Sequence, residues 1–122
     1  MIQYATMQVF DWSRIEREQL NPQLTRQVIH GEKITVARLE LVKGALVPLH
    51  SHANEQITVL ERGSLRFVIN GEEKVLRAGE VMEIPPHAPH SVLALEDSTA
   101  MDLFSPVRED WIRGDDAYLR NK

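Results

Sequence analysis

The chain contains no cysteine among its 122 residues. That absence excludes disulfide scaffolds, thiolate zinc sites, cysteine nucleophiles and redox dithiols. Apolar runs are short, and none approaches the roughly 20 residues that cross a bilayer. Residues 1–12 carry neither the basic segment nor the apolar core of a secretory signal, so we expect a cytoplasmic protein with no membrane partner. The chemistry of this chain must therefore come from His, carboxylate, amide and Arg side chains.

Positive charge is also in deficit, with 14 Lys and Arg against 18 Asp and Glu and a net charge of −4 at pH 7. This balance disfavours a nucleic-acid partner, because phosphate backbones are bound by an excess of cations. A hydrophobic content of 43% and a charged content of 26% are typical of a folded domain. The length predicts a single domain over residues 1–122, since a second core would be too small to stabilise itself.

Short apolar segments recur about every ten residues from about residue 26, separated by Gly, Pro or Asn-Gly. This spacing predicts an all-β sandwich or barrel. Asn70-Gly71 predicts a tight hairpin turn, because both residues tolerate a positive φ. The predicted strands are Lys33–Val42, Gln56–Leu60, Ser64–Ile69, Glu72–Leu76, Glu80–Ile84, His90–Leu95 and Thr99–Phe104.

Other segments depart from this regular strand pattern. Apolar residues in Lys33–Val42 change face part-way, which predicts a β-bulge or an end buried on both faces. Trp12–Leu20 predicts a short helix. The segment after Pro106 predicts helical turns that pack on the sheet through Trp111, Ile112 and Leu119.

The histidines suggest a metal site. His50 and His52 are two residues apart, so an extended segment projects both imidazoles from one face. Gln56 opens the next strand, and His90 follows a proline-rich loop. Three imidazoles and an amide oxygen suit a divalent ion such as zinc, nickel, iron, copper or manganese, while the lack of thiolate disfavours copper(I). The alternative is that these are ordinary surface or core histidines.

The spacing of these residues is specific. It reads Gly44-x5-His50-x-His52-x3-Gln56-x6-Gly63 and then Gly79-x5-Pro85-x4-His90. The two stretches, 44–63 and 79–94, resemble the two signature motifs of the cupin superfamily. The resemblance implies a double-stranded β-helix, or jelly-roll barrel, to which the short N- and C-terminal helical segments are added. Three positions depart from the motifs: Gln56 replaces a glutamate, His87 a glycine and Ala94 an asparagine.

Register selects Gln56 over its neighbour Glu55 as the metal ligand. Gln56 lies seven residues before Gly63, as the ligand in the motif does, and strand alternation points Glu55 to the opposite face. A neutral amide leaves a bound ion more electropositive, which favours Lewis-acid polarisation over redox chemistry. We expect His87 to lie at the rim of the pocket and His30 to be exposed.

A second group of candidate residues lies near the C-terminus. Period two places Asp102 and Phe104 on one face of the last strand, and Met101 and Leu103 on the other. Asp102 is a candidate general acid/base, Phe104 an apolar wall, and Arg108 a two-pronged donor to a substrate carboxylate. The alternative is a structural Asp, a core Phe and a surface ion pair at Arg108.

These C-terminal residues resemble small single-domain cupins of the KdgF type, which open the ring of 4,5-unsaturated uronates in pectin and alginate degradation. The stretches that carry the resemblance are Glu96–Thr99, Asp102–Pro106, Arg108–Asp110 and His50-x-His52-x2-Glu55-Gln56. It implies one divalent metal ion (Ni, Zn, Fe or Mn) held by His50, His52, Gln56 and His90. It also implies a substrate pocket formed by Asp102, Phe104 and Arg108. Thr58 departs from the type, which often has glycine there.

The leading hypothesis is therefore a metal-dependent isomerase acting on a small acidic sugar. The alternatives are a dioxygenase or lyase acting on another small acid, and a binding module without turnover. We further expect a homodimer, because a small barrel has open sheet edges that a second copy can cover. Met1–Phe10 has the composition of a strand that two copies could exchange.

Overall fold

The computed structural model describes residues 6–120, which form two antiparallel sheets and short helical segments. The strands are β1 (Glu18–Asn21), β2 (Leu24–His30), β3 (Thr35–Leu41), β4 (Leu46–His50), β5 (Glu55–Arg62), β6 (Ser64–Ile69), β7 (Glu72–Arg77), β8 (Val81–Ile84), β9 (His90–Ala94) and β10 (Ser98–Ser105). The helical segments are a 3-10 turn (Trp12–Arg14), α1 (Glu109–Ile112) and α2 (Ala117–Arg120). The predicted all-β jelly-roll architecture is confirmed.

The two sheets face each other across one core. One has six strands in the order β1-β2-β3-β10-β5-β8, and the other has four in the order β4-β9-β6-β7. Strand alternation sends every second side chain inward, where Leu60, Leu65, Phe67 and Ile84 are almost completely buried. Burial of each such side chain contributes about 1.5–3 kcal/mol. At one end of the sandwich, called the polar end below, the inward-facing side chains are polar.

All seven predicted strands are present, and three further strands escaped prediction: β1, β2 and β4. In β2 the inward position between Leu24 and Val28 is Arg26, which is buried and paired with Asp116. A charged residue at an inward position breaks the alternation that identifies a half-buried strand. In β4 the signal is weakened by Pro48.

Two local expectations are wrong. The helix expected over Trp12–Leu20 is only a 3-10 turn, after which the chain extends into β1 and pairs with β2. Of the two explanations predicted for the change of face in Lys33–Val42, the β-bulge is wrong, since β3 pairs with both β2 and β10 in unbroken register. Its fully buried inward residues include Thr35 and Ala37, which are too small or too polar to mark the inward face by hydropathy.

Two turns follow the sequence signals closely. Asn70 and Gly71 adopt φ values of 50° and 79° and join β6 to β7, as predicted. Gly63 has a φ of 91°, and a Cβ atom there would collide with the backbone at Asp97 and Ser98. Glycine is therefore required at that position both by conformation and by close approach of the neighbouring chain.

The C-terminal segment folds over the polar end of the sandwich. Trp111 and Leu119 are buried there, as expected, whereas Ile112 is 52% exposed, contrary to expectation, because it faces away from the sheets at the end of α1. At the other terminus, residues 6–10 form no regular secondary structure, and Met7 and Val9 are almost fully exposed. The rest of the strand expected at Met1–Phe10 lies outside the described residues. Between residues 6 and 120, no helix is long and apolar enough to cross a membrane.

Candidate functional site

The four predicted metal ligands meet at the polar end of the sandwich. His50 ends β4 and pairs with His90, which begins β9 in the same sheet. His52 follows in the turn, and Gln56 enters from β5 of the opposite sheet. One ring nitrogen from each histidine lies within 4.8 Å of the other two. The predicted cluster is thus assembled by strands of both sheets.

Backbone carbonyls set the orientation of all three imidazoles. Nδ1 donates to the oxygen of Pro48 in His50 (2.7 Å), of Asn54 in His52 (3.0 Å) and of Ala88 in His90 (2.8 Å). A carbonyl oxygen only accepts, so the Nδ1 atoms carry the protons and the Nε2 atoms present lone pairs. Outer hydrogen bonds of this kind are typical of histidines that bind metal ions.

The hydrogen-bonding pattern fits a cation. Within residues 6–120, the buried Nε2 of His90 has no hydrogen-bond partner. Nε2 of His52 lies 3.0 Å from Oε1 of Gln56. Since the proton of His52 is on Nδ1, these two atoms both present lone pairs, an arrangement that a positive ion stabilises. Three neutral imidazoles and an amide oxygen form a donor set that suits a divalent transition metal.

Burial keeps the imidazoles neutral. It lowers the pKa of His50 and of His52 from 6.5 to about 4, against the effect of the hydrogen bonds to Pro48 and Asn54, which raise it. The pKa of His90 is lowered for the same reason. At neutral pH the cluster therefore presents lone pairs without having to release protons first.

A chain of hydrogen bonds links Gln56 to Asp102. Nε2 of Gln56 donates to Oγ1 of Thr58 (3.0 Å), which donates to Oδ1 of Asp102 (2.7 Å). The β5–β10 register places Thr58 opposite Asp102 and Gln56 opposite Phe104. Burial raises the pKa of Asp102 to about 6, although the Thr58 hydrogen bond and the Arg108 charge both lower it. The predicted inward orientation of Asp102 and Phe104 is confirmed.

Arg108 lines the same pocket but is held by the protein itself. Its Nε and Nη2 atoms donate to the two carboxylate oxygens of Asp110 at 3.0 and 2.8 Å, and Nη2 also donates to the hydroxyl of Tyr118 at 3.0 Å. The guanidinium lies over the rings of Phe104 and Trp111, at 4.6 and 4.2 Å. Within residues 6–120, its Nη1 atom makes no hydrogen bond, so this nitrogen is the one available to a ligand.

The C-terminal segment supplies pocket residues that sequence reasoning missed. Tyr118 packs its ring 4.7 Å from that of His50 and accepts a hydrogen bond from Trp111. Asn54 is buried and donates to the backbone of Pro106 and Val107, which ties the histidine turn to this segment. No local sequence pattern identifies Asn54 or Tyr118. Asn54 contacts residues more than 50 positions away, and Tyr118 lies on a short helix whose position depends on the sheets.

Beneath the cluster lies a pocket of about 540 Å³, open solvent at its mouth included. Its polar lining residues are His50, Gln56, Thr58, His90, Asp102, Arg108 and Tyr118, and its other lining residues are apolar. A pocket with a few convergent polar groups on an apolar wall is typical of a small-molecule site.

Comparisons with known proteins agree with this geometry. The cupin domain family matches residues 37–105. The pectin degradation protein KdgF of Dickeya dadantii is 31% identical over 98 residues, which cover 78% of this chain and 89% of that protein. The chain is a KdgF-like cupin. The structure of KdgF from Halomonas sp. has a TM-score of 0.81 at 28% identity and covers 87% of this chain and 99% of its own. An RmlC-like cupin from Shewanella frigidimarina has a TM-score of 0.80 at 27% identity, covering 87% and 96%.

Three polar residues that were not predicted to bind the metal, His87, Glu55 and His30, are exposed in this KdgF-like cupin. His87, at the glycine position of the second motif, is exposed and has a φ of 67°, in the left-handed region that glycine favours. Its N–H donates to the carbonyl of His52 (2.8 Å), so its backbone supports the turn that carries His52, while its side chain is exposed. Glu55 and His30 are exposed, as expected.

Proposed function

We propose that this KdgF-like cupin is a metal-dependent isomerase that opens the ring of a small acidic sugar such as a 4,5-unsaturated uronate. The name of the Dickeya dadantii relative, a pectin degradation protein, supports a sugar-related enzymatic role. The observation that carries the proposal is one pocket shared by the histidine cluster, Asp102 and Arg108. Such a pocket combines a Lewis-acid site, a proton carrier and an anion-binding group, which are the three functions that ring opening needs.

His50, His52, His90 and Gln56 would hold the ion, which we propose to be Ni, Zn, Fe or Mn. The bound ion would supply a Lewis acid that polarises a substrate oxygen. All four donors are neutral, so they leave the charge of the ion uncompensated. That property supports polarisation of a bound oxygen more than it supports electron transfer.

We assign proton transfer to Asp102. A pKa of about 6 lets this carboxyl exchange its proton near neutral pH, which is the favourable condition for general acid–base catalysis. It would accept the proton of the hydroxyl on the anomeric carbon while the bond from that carbon to the ring oxygen breaks. It would then deliver that proton to the carbon end of the resulting enolate, giving a linear ketone that is an isomer of the substrate.

Arg108 and the aromatic rings would orient the sugar. Asp110 and Tyr118 occupy two nitrogens of the guanidinium, which leaves Nη1 to donate to the substrate carboxylate. The rings of Phe104 and Trp111 pack against the guanidinium at 4.6 and 4.2 Å and limit the directions in which Nη1 can point. We therefore expect one nitrogen of Arg108 to contact the substrate carboxylate, whereas the sequence predicted a contact through two nitrogens.

The deciding experiment is an activity assay with 4,5-unsaturated galacturonate on metal-loaded and metal-stripped protein. We expect the ultraviolet absorbance of the enol ether to disappear only with the loaded protein, without oxygen consumption. Oxygen consumption would indicate a dioxygenase instead. Metal-dependent binding without product would indicate a binding module, and either result would refute the isomerase proposal.

We also propose that the protein is a homodimer. Met7 and Val9 are almost fully exposed, and Phe10 is half exposed, on a segment that forms no regular secondary structure. Three apolar side chains close together on an exposed segment are typical of a surface that another chain covers. A second copy, exchanging this segment as the sequence predicts, would remove them from water.

A further inference from the structure

We infer that Thr58 is a positioning residue that orients the amide of Gln56 so that its oxygen faces the histidine cluster. The inference rests on the proposed metal centre and concerns a residue two positions beyond the ligand. The number of protons that each hydrogen-bonding partner offers determines how the amide is oriented. Thr58 Oγ1 lies 2.7 Å from Oδ1 of Asp102 and 3.0 Å from Nε2 of Gln56.

A threonine hydroxyl carries one proton and two lone pairs. The carboxylate of Asp102 offers no proton, so the hydroxyl proton points to Asp102. Only a lone pair of Thr58 remains for the side chain on its other side. A hydrogen-bond donor must therefore face Thr58, and the donor end of the Gln56 amide is Nε2.

The amide has two ends in a fixed plane, so placing Nε2 against Thr58 directs Oε1 the opposite way. Oε1 indeed lies 3.0 Å from Nε2 of His52, on the side of the three-histidine cluster. Oxygen, not nitrogen, is the end of an amide that binds a metal ion. Gln56 is buried, so water does not compete to reorient it. The Gln56 amide also hydrogen-bonds the Asp102 carboxylate, which likewise accepts only from its nitrogen end. The hydroxyl of Thr58 therefore acts together with Asp102 to direct Oε1 towards the histidine cluster.

The same proton count accounts for the neutral residue at position 56. A glutamate there would present an acceptor to Thr58 on both oxygens. The single hydroxyl proton would then be contested by two acceptors, and one buried oxygen would lose its partner. Thr58 and Gln56 are therefore a matched pair.

The test is a titration of the full-length, metal-free protein with Co²⁺ alone, followed by calorimetry and by the visible absorption of the bound ion. Thr58→Val keeps the shape of the side chain and removes the hydroxyl. We expect its Co²⁺ affinity to fall about 10–100-fold, the range seen when an outer partner of a metal ligand is lost. The visible spectrum should also change, because the oxygen of Gln56 is no longer held toward the ion. Thr58→Ser retains the proton and should keep both the affinity and the spectrum.

Two controls separate orientation of the amide from general damage. Thr99→Val makes the same change at a buried threonine of β10 that does not line the pocket, and should leave Co²⁺ binding unchanged. In a Gln56→Ala background, Thr58→Val should alter the affinity by no more than about twofold, since the residue on which it acts is gone. If the additional methyl group of Thr58→Val prevents folding, Thr58→Ala provides a second variant without the hydroxyl.

The outcomes are distinct. Wild-type affinity and spectrum in both hydroxyl-free variants would overturn the role of Thr58 while leaving the metal centre intact. An equal loss of affinity in the Gln56→Ala background would overturn it as well, because the effect would not pass through the amide. Failure of the wild-type protein to bind Co²⁺ would refute the metal centre and this inference together.

Discussion

Replacing Asp102 by Asn gives the sharpest test, because it should lower turnover and raise stability at the same time. Asn keeps the shape of the side chain and an oxygen that accepts from Thr58, but it cannot accept a proton from the substrate. Loss of a general acid/base typically lowers turnover by about two to four orders of magnitude. Substrate binding should survive, since the change removes a negative charge near an anionic ligand.

The gain in stability follows from burial of the carboxyl group. Its pKa rises from 3.8 to about 6 in the folded protein. Between those values the folded protein holds the proton more tightly than the unfolded chain, so stability falls as the pH rises through that window and stays low above it. At about 1.4 kcal/mol per pH unit, ionised Asp102 costs about 3 kcal/mol at pH 7. Burying the amide hydrogens of Asn costs about 1 kcal/mol. The free energy of unfolding of Asp102→Asn at pH 7 should therefore be about 2 kcal/mol higher than that of the wild type.

The measurements are steady-state kinetics of metal-loaded enzyme on an unsaturated uronate, and urea denaturation of metal-free enzyme at pH 7 and pH 4. We expect lower turnover, higher stability at pH 7 and no gain at pH 4. Thr99→Val serves as the control for a buried polar change elsewhere on β10. Near-wild-type turnover, or a stability difference that is the same at both pH values, would show that the reasoning about Asp102 is wrong.

Four further outcomes are expected. His90→Ala should lose its metal on dialysis because a chelating donor is removed, and unchanged metal by elemental analysis would contradict the assignment. Arg108→Lys should weaken binding of acidic sugars, and should also lower the melting temperature because the two hydrogen bonds from the buried guanidinium to Asp110 are lost. Metal-free protein should lose stability as the pH falls from 6.5 towards 4, because burial lowers the pKa of His50 and His52 to about 4, so that protons bind the unfolded chain first. Equal denaturation midpoints at pH 7 and pH 5 would argue against this. Light scattering at micromolar concentration should give twice the chain mass of 14.0 kDa, and a mass of one chain would refute the dimer.

Much of the site was predictable because its signals are local. The spacing of His50, His52 and His90 identified the imidazole donors, and strand alternation separated Gln56 from Glu55 without any tertiary information. The same period of two placed Asp102 on the inward face. The Asn70-Gly71 hairpin needed only the conformational freedom of two adjacent residues. The hairpin and the strand faces depend on residues within about ten positions, whereas His90 was linked to His50 and His52 through the resemblance of both stretches to the cupin motifs.

What the sequence could not decide is which distant residues become neighbours. The contact between Thr58 and Asp102 exists because β10 pairs with β5 in one register, across 44 positions of chain. A shift of one residue would turn Asp102 outward and leave the carboxyl exposed. For Arg108 the sequence left two interpretations open, a pocket donor and a surface ion pair, and its 1% exposure excludes the surface interpretation.

The missed elements have the same cause. Arg26 can occupy an inward position of β2 because it pairs with Asp116, 90 positions later, and that ion pair compensates for the buried charge. β1 extends because β2 lies beside it, whereas its own residues indicated a helix. Local propensities are worth a few tenths of a kcal/mol per residue, and strand pairing with burial exceeds them. The sequence by itself therefore determined the donors, the faces and the turns. The tertiary structure alone decided the contact between Thr58 and Asp102 and the placement of the C-terminal segment that buries the guanidinium of Arg108, because both depend on contacts between elements far apart in the chain.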